Sequence, residues 1–478
     1  MPSLRRNIVY QFLYELLIVF IPLFTIPYVS RVLGAENIGL FSYTYAVANY
    51  FVLFANLGIK NYGSRTIAMV RNNKEELNRN FSEILSIHII FSIIVIFVYL
   101  VLLFFFVEDN LVIFLIQSIY VFAAVFDINW FFFGIEKFKL TVGRNTLVKI
   151  LSVFLVLVFV KTQTDLWIYA LILALSVFVG QSVVWFALKQ YVSWRRPSWA
   201  NMKQHIRPLF VLFLPILALS LYKYMDKIML GSISSNVQVG FYENAEKIIN
   251  VPMSLIMAFG VVLMPRIANM VTSKDKGEVF KLIDMSMEAV MLLAIAISFG
   301  LAGISFVLAP IFFGYEFEEC GILIMGLAVT VPFMAFANVI RTQYLIPYKV
   351  DKIFVVSLFL GAAVNLIVNI ILIPYMAARG AVIGTIFAEI IVCIYQSYFV
   401  RKKIFIKKYL LNTIPPILIG IVMFVFVFQI GNVMNINIVT LILQLLVGMF
   451  IYAVGVFLLM LKSRTRLMVL LRKFVVRY

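Results

Sequence analysis

The chain consists of long apolar stretches separated by short polar gaps, and fourteen such stretches can be distinguished. A helix needs about 20 apolar residues to cross the hydrocarbon core of a bilayer, and each stretch is close to or above that length. The predicted spans are 8–29, 40–59, 81–106, 111–133, 143–160, 166–188, 208–230, 239–263, 282–308, 320–340, 350–373, 380–400, 412–430 and 438–461. The pattern predicts an all-α polytopic membrane protein with fourteen transmembrane helices.

The basic residues alternate between the gaps. Of the 40 Lys and Arg residues, 34 fall in every second gap or at the span ends beside it, and only 3 fall in the gaps between. Cytoplasmic loops carry the excess of Lys and Arg. The alternation therefore predicts that both termini are cytoplasmic.

Composition supports a membrane protein and excludes several function classes. Hydrophobic residues make up 63% of the chain, charged residues only 13%, and the mean hydropathy is +1.03. A soluble protein could not bury so much apolar surface. The net charge of +18 lies mainly on one face, where anionic head groups would attract it, so we expect anionic membrane lipids as partners and no nucleic acid.

The sequence offers no catalytic or metal site. No gap between spans is long enough for a soluble catalytic domain. Cys320 and Cys393 have no metal-ligand spacing, and His88 and His205 stand alone, so we expect both histidines to be structural. We expect no enzyme, no metal and no cofactor, and therefore a function within the membrane.

An internal repeat divides the chain. Residues 27–34 can be laid over 224–231, at an offset close to 200 residues. Since an even number of spans separates the copies, both enter the membrane in the same direction, as in transporters built from parallel repeats. The predicted parts are an N-terminal lobe 1–207 (spans 1–6), a C-terminal lobe 208–408 (spans 7–12), and 409–478 with spans 13–14 and a basic cytoplasmic tail. A duplicated scaffold without transport is the alternative.

Ionisable residues within the membrane are costly and usually functional. Two triads occur on the adjoining spans 7 and 8, each on one helical face: Lys223, Asp226 and Lys227, then Glu243, Glu246 and Lys247. One interpretation is an ion-pair network that fixes the hairpin. The other is that Lys223 faces a cleft and binds an anionic head group.

Polar stripes at helical spacing indicate a hydrated cleft. Span 2 carries Ser42, Tyr45, Asn49 and Asn56. Span 4 carries Gln117, Tyr120 and Asp127, and span 11 carries Asn365 and Asn369. Glu15 in span 1 and Glu389 in span 12 add acidic groups. Each could instead make an interhelical hydrogen bond, worth about 0.6 kcal/mol on average.

Several groups of motifs carry a resemblance to a known family. In the first half they are residues 7–11 with Pro22, 27–34 and Gly39, residues 57–59 with Tyr62, Gly63 and Arg65, and residues 127–131 with Gly134, Glu136 and Phe138. In the second half they are Asp226, Lys227, Leu230 and Gly231 with 240–247, and then Arg341, Gln343, Pro347, Asn365, Asn369, Gly380 and Glu389. In these motifs the chain resembles Wzx-type oligosaccharide flippases of the multidrug/oligosaccharidyl-lipid/polysaccharide exporter (MOP) superfamily. The resemblance covers most of the chain.

The resemblance implies a two-lobed transporter in a bacterial cytoplasmic membrane. It would move an oligosaccharide repeat unit linked to undecaprenyl diphosphate from the inner to the outer leaflet, by alternating access, for surface polysaccharide biosynthesis. Polysaccharide polymerase machinery is an implied partner, and an oligomer is not required.

The resemblance also assigns roles to the polar residues. The diphosphate candidates are Lys223, Lys227 and Arg31, and the sugar candidates are Asn49, Asn56, Asn365 and Asn369. Candidates for coupling to H⁺ or Na⁺, or for gating, are Glu15, Asp127, Asp226, Glu243, Glu246 and Lys247.

Two related functions are alternatives. A lipid II flippase of the same superfamily offers arginines from its first helix, whereas residues 10–15 here contain no cation. A cation-coupled multidrug exporter usually has twelve spans and an acidic cavity; Glu15 and Asp127 would fit it, but Lys223 and Lys227 would not.

Overall fold

The computed structural model describes the backbone of residues 2–273 and 276–462, and the side chains from residue 24 onward except at 138, 139, 142, 222, 276 and 462. All regular elements in these ranges are helices. The α-helices are α1 Pro2–Asn56, α2 Ile59–Val70, α3 Lys74–Phe106, α4 Leu111–Val125, α5 Asn129–Gly134, α6 Phe138–Phe159, α7 Leu166–Leu188, α8 Trp199–Ile233, α9 Asn236–Thr272, α10 Lys276–Phe313, α11 Cys320–Ala328, α12 Thr330–Ile340, α13 Asp351–Val400, α14 Ile406–Val433 and α15 Ile438–Lys462.

The helices have the length and surface of transmembrane segments. In the described part, 11 helical stretches are long and apolar enough to cross a membrane. Large apolar side chains lie on the outside, as at Phe104, Phe105 and Phe106, which are 70–82% exposed. Backbone polar groups within a bilayer must bond internally, which helices achieve. The chain is a multi-pass integral membrane protein.

Two of the long helices contain a break. Gly34 in α1 has φ 78° and ψ 172°, and Ala377 in α13 has φ 47° and ψ −126°. These breaks fall between predicted spans 1 and 2 and between spans 11 and 12. The count of fourteen stays a prediction, because it requires both arms of α1 and of α13, and also α6, to cross the membrane.

The described residues form two compact units, which divide between Gly231 and Ser232. The boundary lies within α8, close to its end, rather than at 207/208. The predicted division into 1–207, 208–408 and 409–478 stays a prediction about the repeat.

In the first unit, α1 packs on α3, α4 and α6, and α4 packs on α7. Trp130, Phe131 and Phe81 are almost fully buried and their rings contact one another. A Cβ on Gly63 of α2 would lie 2.5 Å from the Trp130 ring. A small residue at this position therefore allows α2 and α5 to approach closely.

In the second unit, α10 packs on α11, α12, α14 and α15. The last two helices are bonded into this unit. Gln444 Nε2 of α15 donates to the Val427 carbonyl of α14 at 2.9 Å, and the Tyr452 hydroxyl of α15 donates to the Leu292 carbonyl of α10 at 2.7 Å. Predicted spans 13 and 14 are thus part of the second compact unit.

Candidate functional site

Four aromatic rings from three helices meet in the first unit. Phe41 and Tyr45, on the second arm of α1, stack with ring centres 5.6 Å apart. Tyr45 meets Tyr120 of α4 edge-on at 5.1 Å, and Phe41 meets Tyr169 of α7 edge-on at 4.9 Å. We call these residues the tyrosine cluster. Tyrosine combines an apolar ring with a hydroxyl that exchanges hydrogen bonds.

The predicted cations of α8 lie near this cluster. Tyr45 is within electrostatic range of Lys223 and Lys227. The Lys223 Nζ lies 5.3 Å from the centre of the Tyr224 ring, and Tyr224 meets Tyr50 of α1 edge-on at 5.9 Å. The structure therefore brings the lysines of span 7 together with the polar stripe of span 2.

The three charged residues predicted on span 7 differ in their burial. Lys223 is exposed, whereas Asp226 and Lys227 are only 5% and 8% exposed. Asp226 is within electrostatic range of Tyr50, whose buried hydroxyl has no hydrogen-bond partner among the described atoms. Lys223 is thus the α8 cation of this set that is open to an incoming anion.

The side-chain amides of Asn49 and Asn56, the predicted sugar ligands of span 2, donate hydrogen bonds within their own helix. Asn49 Nδ2 donates to the Tyr45 carbonyl at 2.8 Å, and Asn56 Nδ2 donates to the Val52 carbonyl at 2.9 Å. The carbonyl oxygen of each amide can still accept from another donor. Whether either binds sugar stays a prediction.

Arg31 is exposed near the end of the first arm of α1. The neighbouring Tyr28 hydroxyl donates to the Val160 carbonyl at 2.7 Å, and Asn37 Nδ2 donates to the Gln163 carbonyl at 3.0 Å. Arg31 therefore lies at the end of the unit where α6 meets α7. The side chain of Glu15, a predicted coupling residue, lies outside the described residues.

Asp127 lies two positions before the first residue of the short helix α5. Its Oδ1 accepts from the backbone N of Asn129 at 3.1 Å and from Nδ2 of Asn129 at 2.6 Å. Asn129 Oδ1 in turn accepts from the Arg144 guanidinium at 3.0 Å. A carboxylate at a helix start satisfies exposed N–H groups, so these bonds give Asp127 a structural role; coupling by Asp127 stays a prediction.

In the second unit, Asn365 and Asn369 are 4% and 0% exposed and bond to each other, with Nδ2 of Asn369 donating to Oδ1 of Asn365 at 3.1 Å. A Cβ on Gly384, in the other arm of α13, would lie 2.1 Å from Asn369 Oδ1. The absence of a side chain at Gly384 thus lets the two arms of α13 close on the asparagine pair.

The charges predicted on span 8 lie on α9. Lys247 Nζ and Glu243 Oε1 form an ion pair at 3.1 Å, one helical turn apart, and Glu246 is half-buried. The neighbouring Tyr242 hydroxyl hydrogen-bonds Thr385 Oγ1 of α13 at 2.9 Å. The Glu243–Lys247 pair fits the interpretation of a structural network; coupling by this triad stays a prediction.

Arg341, one of the residues that carry the family resemblance, has a prominent place in the second unit. It begins a π-helical turn, Arg341–Leu345, a form often found at functional sites. Its guanidinium donates to Asn338 Oδ1 at 2.6 Å, lies 5.2 Å from the Phe354 ring centre and is within electrostatic range of Glu389. These partners lie in α12 and in both arms of α13, which spacing along the chain could not show.

The expectation that His205 stands alone is wrong. Its Nε2 lies 2.9 Å from Oε2 of the buried Glu83, 122 positions away, and its Nδ1 lies 2.6 Å from the Tyr62 hydroxyl. His88 by contrast is fully buried and neither ring nitrogen has a hydrogen-bond partner among the described atoms.

An apolar groove of about 970 Å³ lies in the second unit between α10, α14 and α15. Its lining is almost entirely aliphatic and aromatic, with Gln444 as a polar exception. Small residues at Gly300 and Gly448 help to open it. Among the described residues, no group of three or more His, Cys, Asp or Glu side chains could hold a metal ion.

The fold is similar to that of a solved transporter. The structure titled "Lipid II flippase MurJ, inward closed conformation" superposes with a TM-score of 0.73 at 16% identity, covering 94% of this chain and 97% of that one. At that identity the likeness shows the fold alone, which is all-α.

Two curated proteins are similar in sequence over most of their length. Both carry the description "Putative O-antigen transporter". The Shigella dysenteriae protein is 24% identical over 82% of this chain and 99% of its own length. The Escherichia coli K12 protein is 26% identical over 84% of this chain and 97% of its own.

A family match covers more than half of the chain and confirms the resemblance found in its motifs. It extends over residues 4–271, from α1 through most of α9, and so includes the tyrosine cluster, Lys223 and the Glu243–Lys247 pair. The chain belongs to the family described as "Polysaccharide biosynthesis protein".

Proposed function

We propose that the protein is a flippase that moves an undecaprenyl-diphosphate-linked oligosaccharide repeat unit from the inner to the outer leaflet by alternating access. The observation that carries the proposal is the exposed Lys223 beside the tyrosine cluster, within the apolar first unit. The names of the two full-length relatives support the same substrate class.

The energetics of the substrate match this arrangement. A diphosphate is an anion, and an isolated charge crossing bare hydrocarbon meets a prohibitive desolvation barrier. An exposed ammonium at membrane depth lowers that barrier by replacing part of the lost hydration with a charge-assisted contact. Lys223 supplies this cation, and the buried Asp226 and Lys227 follow it along α8.

The sugar and the lipid chain need different surfaces. Sugar hydroxyls need partners that can both donate and accept, which Tyr45, Tyr50 and Tyr120 provide, and sugar ring faces pack well on aromatic rings. The prenyl chain needs only apolar surface, which the surrounding bilayer supplies.

The charge pattern and the relatives support the cellular setting. The excess of Lys and Arg in alternate gaps is typical of cytoplasmic loops and supports cytoplasmic termini, and the bacterial relatives support a bacterial cytoplasmic membrane. The protein acts as a transporter rather than an enzyme and needs no resident cofactor. Its partners are the lipid-linked oligosaccharide, anionic lipids and the polysaccharide polymerase machinery, and a monomer suffices.

Lipid analysis of cells that lack the protein tests the proposal. Polyprenyl-diphosphate lipids are extracted and their head groups assigned to the inner or outer leaflet. Accumulation of a completed oligosaccharide on the inner leaflet, with loss of surface polysaccharide, is the expected result. Accumulation of lipid II, or sensitivity to cationic drugs with no lipid-linked sugar accumulating, would instead identify one of the two alternative transporters.

A further inference from the structure

Three ionisable side chains, two buried and one half-buried, form a hydrogen-bonded chain across α2, α3 and α8 of the first unit. The Tyr62 hydroxyl lies 2.6 Å from His205 Nδ1, and His205 Nε2 lies 2.9 Å from Glu83 Oε2. Asn201 Nδ2 donates to the other carboxylate oxygen, Glu83 Oε1, at 3.0 Å. We refer to Tyr62, His205 and Glu83 as the relay.

When His205 is neutral, the relay carries one negative charge that no other group of the relay compensates. The side chains of Glu83 and His205 are 1% and 3% exposed. With a neutral imidazole, Nε2–H donates to the carboxylate, Nδ1 accepts from Tyr62, and one negative charge is buried. Burying a charge without a counter-charge is costly. A proton on Nδ1 converts the relay into an imidazolium–carboxylate pair with no net charge.

The geometry can accept that proton without breaking the relay. Once Nδ1 carries a proton it donates to the Tyr62 oxygen, so the Tyr62 hydroxyl must turn its own proton to another acceptor. Thr66, one turn further along α2, is within hydrogen-bonding range of Tyr62. Tyr62 is half-buried whereas Glu83 and His205 are buried, so Tyr62 is the point at which a proton from solution enters.

Other ionisable groups on the surrounding elements do not supply the missing charge. The groups concerned lie on α2, on the first part of α3, on the segment before α8 and on the first part of α8. All of them except the buried His88 are exposed or half-buried. They are Lys60, Arg65, Lys74, Glu75, Glu76, Arg79, His88, Lys189, Tyr191, Arg195, Arg196, Lys203 and Arg207. Glu75 is paired with Arg195 at 3.0 Å. The packed helix α5 has no ionisable residue, and α7 has only Tyr169, near its far end.

We propose that the relay is a proton-binding site, with His205 taking the proton, and that it couples transport to pH. The transport role rests on the proposed function, but proton binding does not. The site differs from the coupling residues expected from the sequence.

The position of His205 gives proton binding a mechanical consequence. His205 lies near the start of α8, and Lys223 lies 18 positions further on, or about 27 Å along a helix. The α8 backbone also abuts Gly58, where a Cβ would lie 2.9 Å from the Leu209 carbonyl oxygen. Protonation strengthens the tie between α8 and α3, while Pro208 and Pro215 within α8 allow the helix to bend.

Nuclear magnetic resonance of the ring nitrogens tests proton binding directly. The chain has only 2 histidines, so a His88→Gln background leaves His205 as the sole reporter in full-length, ¹⁵N-histidine-labelled protein. We expect the ring to pass from one bare nitrogen to two protonated nitrogens as the pH is lowered. In a Glu83→Gln variant of this background, the ring should stay neutral at pH values where the parent is charged.

Two outcomes would overturn proton binding: a His205 ring that never gains a second proton, or one that titrates identically with and without Glu83. Glu83→Gln preserves the size of the side chain. Tyr62→Phe is a second variant, which can be used even if Glu83→Gln does not fold. It removes the hydrogen bond to His205 Nδ1, so the Nδ1 signal should change.

Transport in proteoliposomes under an imposed pH gradient separates the coupling role. The His88→Gln protein should keep its gradient dependence, and His205→Gln should lose it. Equal responses of the two would overturn coupling through the relay. If the relay titrates as expected but even wild-type protein moves no lipid-linked oligosaccharide, the proposed substrate is wrong and the proton site stands.

Discussion

A Cβ atom on Gly384 would lie 2.1 Å from Oδ1 of Asn369, so the second arm of α13 packs directly on the buried amide of the first. Gly384→Ala should therefore push the arms apart and disturb the hydrogen bond between Asn369 and Asn365. Overpacking of this kind costs about 1–3 kcal/mol. We expect a lower midpoint of thermal unfolding in detergent and reduced transport.

Gly300→Ala is the matched control for this substitution. Gly300 is also a helical glycine of the second unit, but a Cβ added there would have Met423 Cε as its nearest neighbour, at 3.7 Å, which is an ordinary van der Waals contact. Equal thermal midpoints for the two variants would show that the close approach at Gly384 is not a constraint.

Lys223→Ala should abolish most transport while leaving insertion and folding intact, because Lys223 is exposed and its removal leaves no buried charge behind it. A lost contact between an ammonium and a diphosphate is worth about 1.5–3 kcal/mol, which is a factor of about 10–150 in affinity. Complementation of a deletion strain, measured as surface polysaccharide at matched expression, gives the readout.

Lys203→Ala provides the control for Lys223, since it removes an exposed lysine from the same helix away from the tyrosine cluster. It should complement fully. Normal polysaccharide export by Lys223→Ala would remove Lys223 from the site.

Tyr45 tests the contribution of ring stacking against that of the hydroxyl. Tyr45→Phe keeps the stack with Phe41 and the edge contact with Tyr120, so it should weaken binding of the glycolipid by the value of about one hydrogen bond, ~0.5–1.5 kcal/mol. Tyr45→Ala should lose more, since the aromatic contacts also disappear. Tyr375→Phe, at an 86% exposed position, should change nothing in the same binding assay.

Arg341 is expected to stabilise the second unit through its fixed, planar guanidinium. Arg341→Ala leaves Asn338 without this donor and removes the cation near the buried Glu389, so we expect a loss of about 1–3 kcal/mol. Arg341→Lys keeps the charge but not the fork geometry and should recover only part of the stability. Thermal unfolding of the two variants, with Lys352→Ala as an exposed control, gives the comparison; full stability of Arg341→Ala would contradict the assignment.

The sequence by itself determined the class of protein and the residues that merit attention. An apolar run of membrane length crosses the bilayer as a helix, because a helix satisfies its own backbone polar groups. Such runs are local in the sequence, so they can be recognised without knowing the fold. The same locality made Lys223, Asp226 and Lys227 visible as charges within a span. It also allowed the repeated segments and family motifs to be identified.

Tertiary structure decided which of those residues meet and which are already satisfied. Asn49 and Asn56 hydrogen-bond backbone carbonyls of their own helix, and Asp127 accepts a hydrogen bond from the backbone N–H at the start of α5. A short amide or carboxylate takes whichever backbone partner the local geometry offers. The breaks within α1 and α13 depend on the backbone angles at Gly34 and Ala377, which apolar periodicity does not encode.

The relay shows most clearly what lay beyond the sequence. Tyr62, Glu83 and His205 come from three helices, and His205 is 122 positions from Glu83. Tyr62 lies in a family motif, but nothing in the sequence linked it to Glu83 or His205, because hydrogen bonds between distant residues leave no periodic signal. Only the packing of α2, α3 and α8 placed their side chains within hydrogen-bonding distance of one another and buried the charge that makes the site sensitive to a proton.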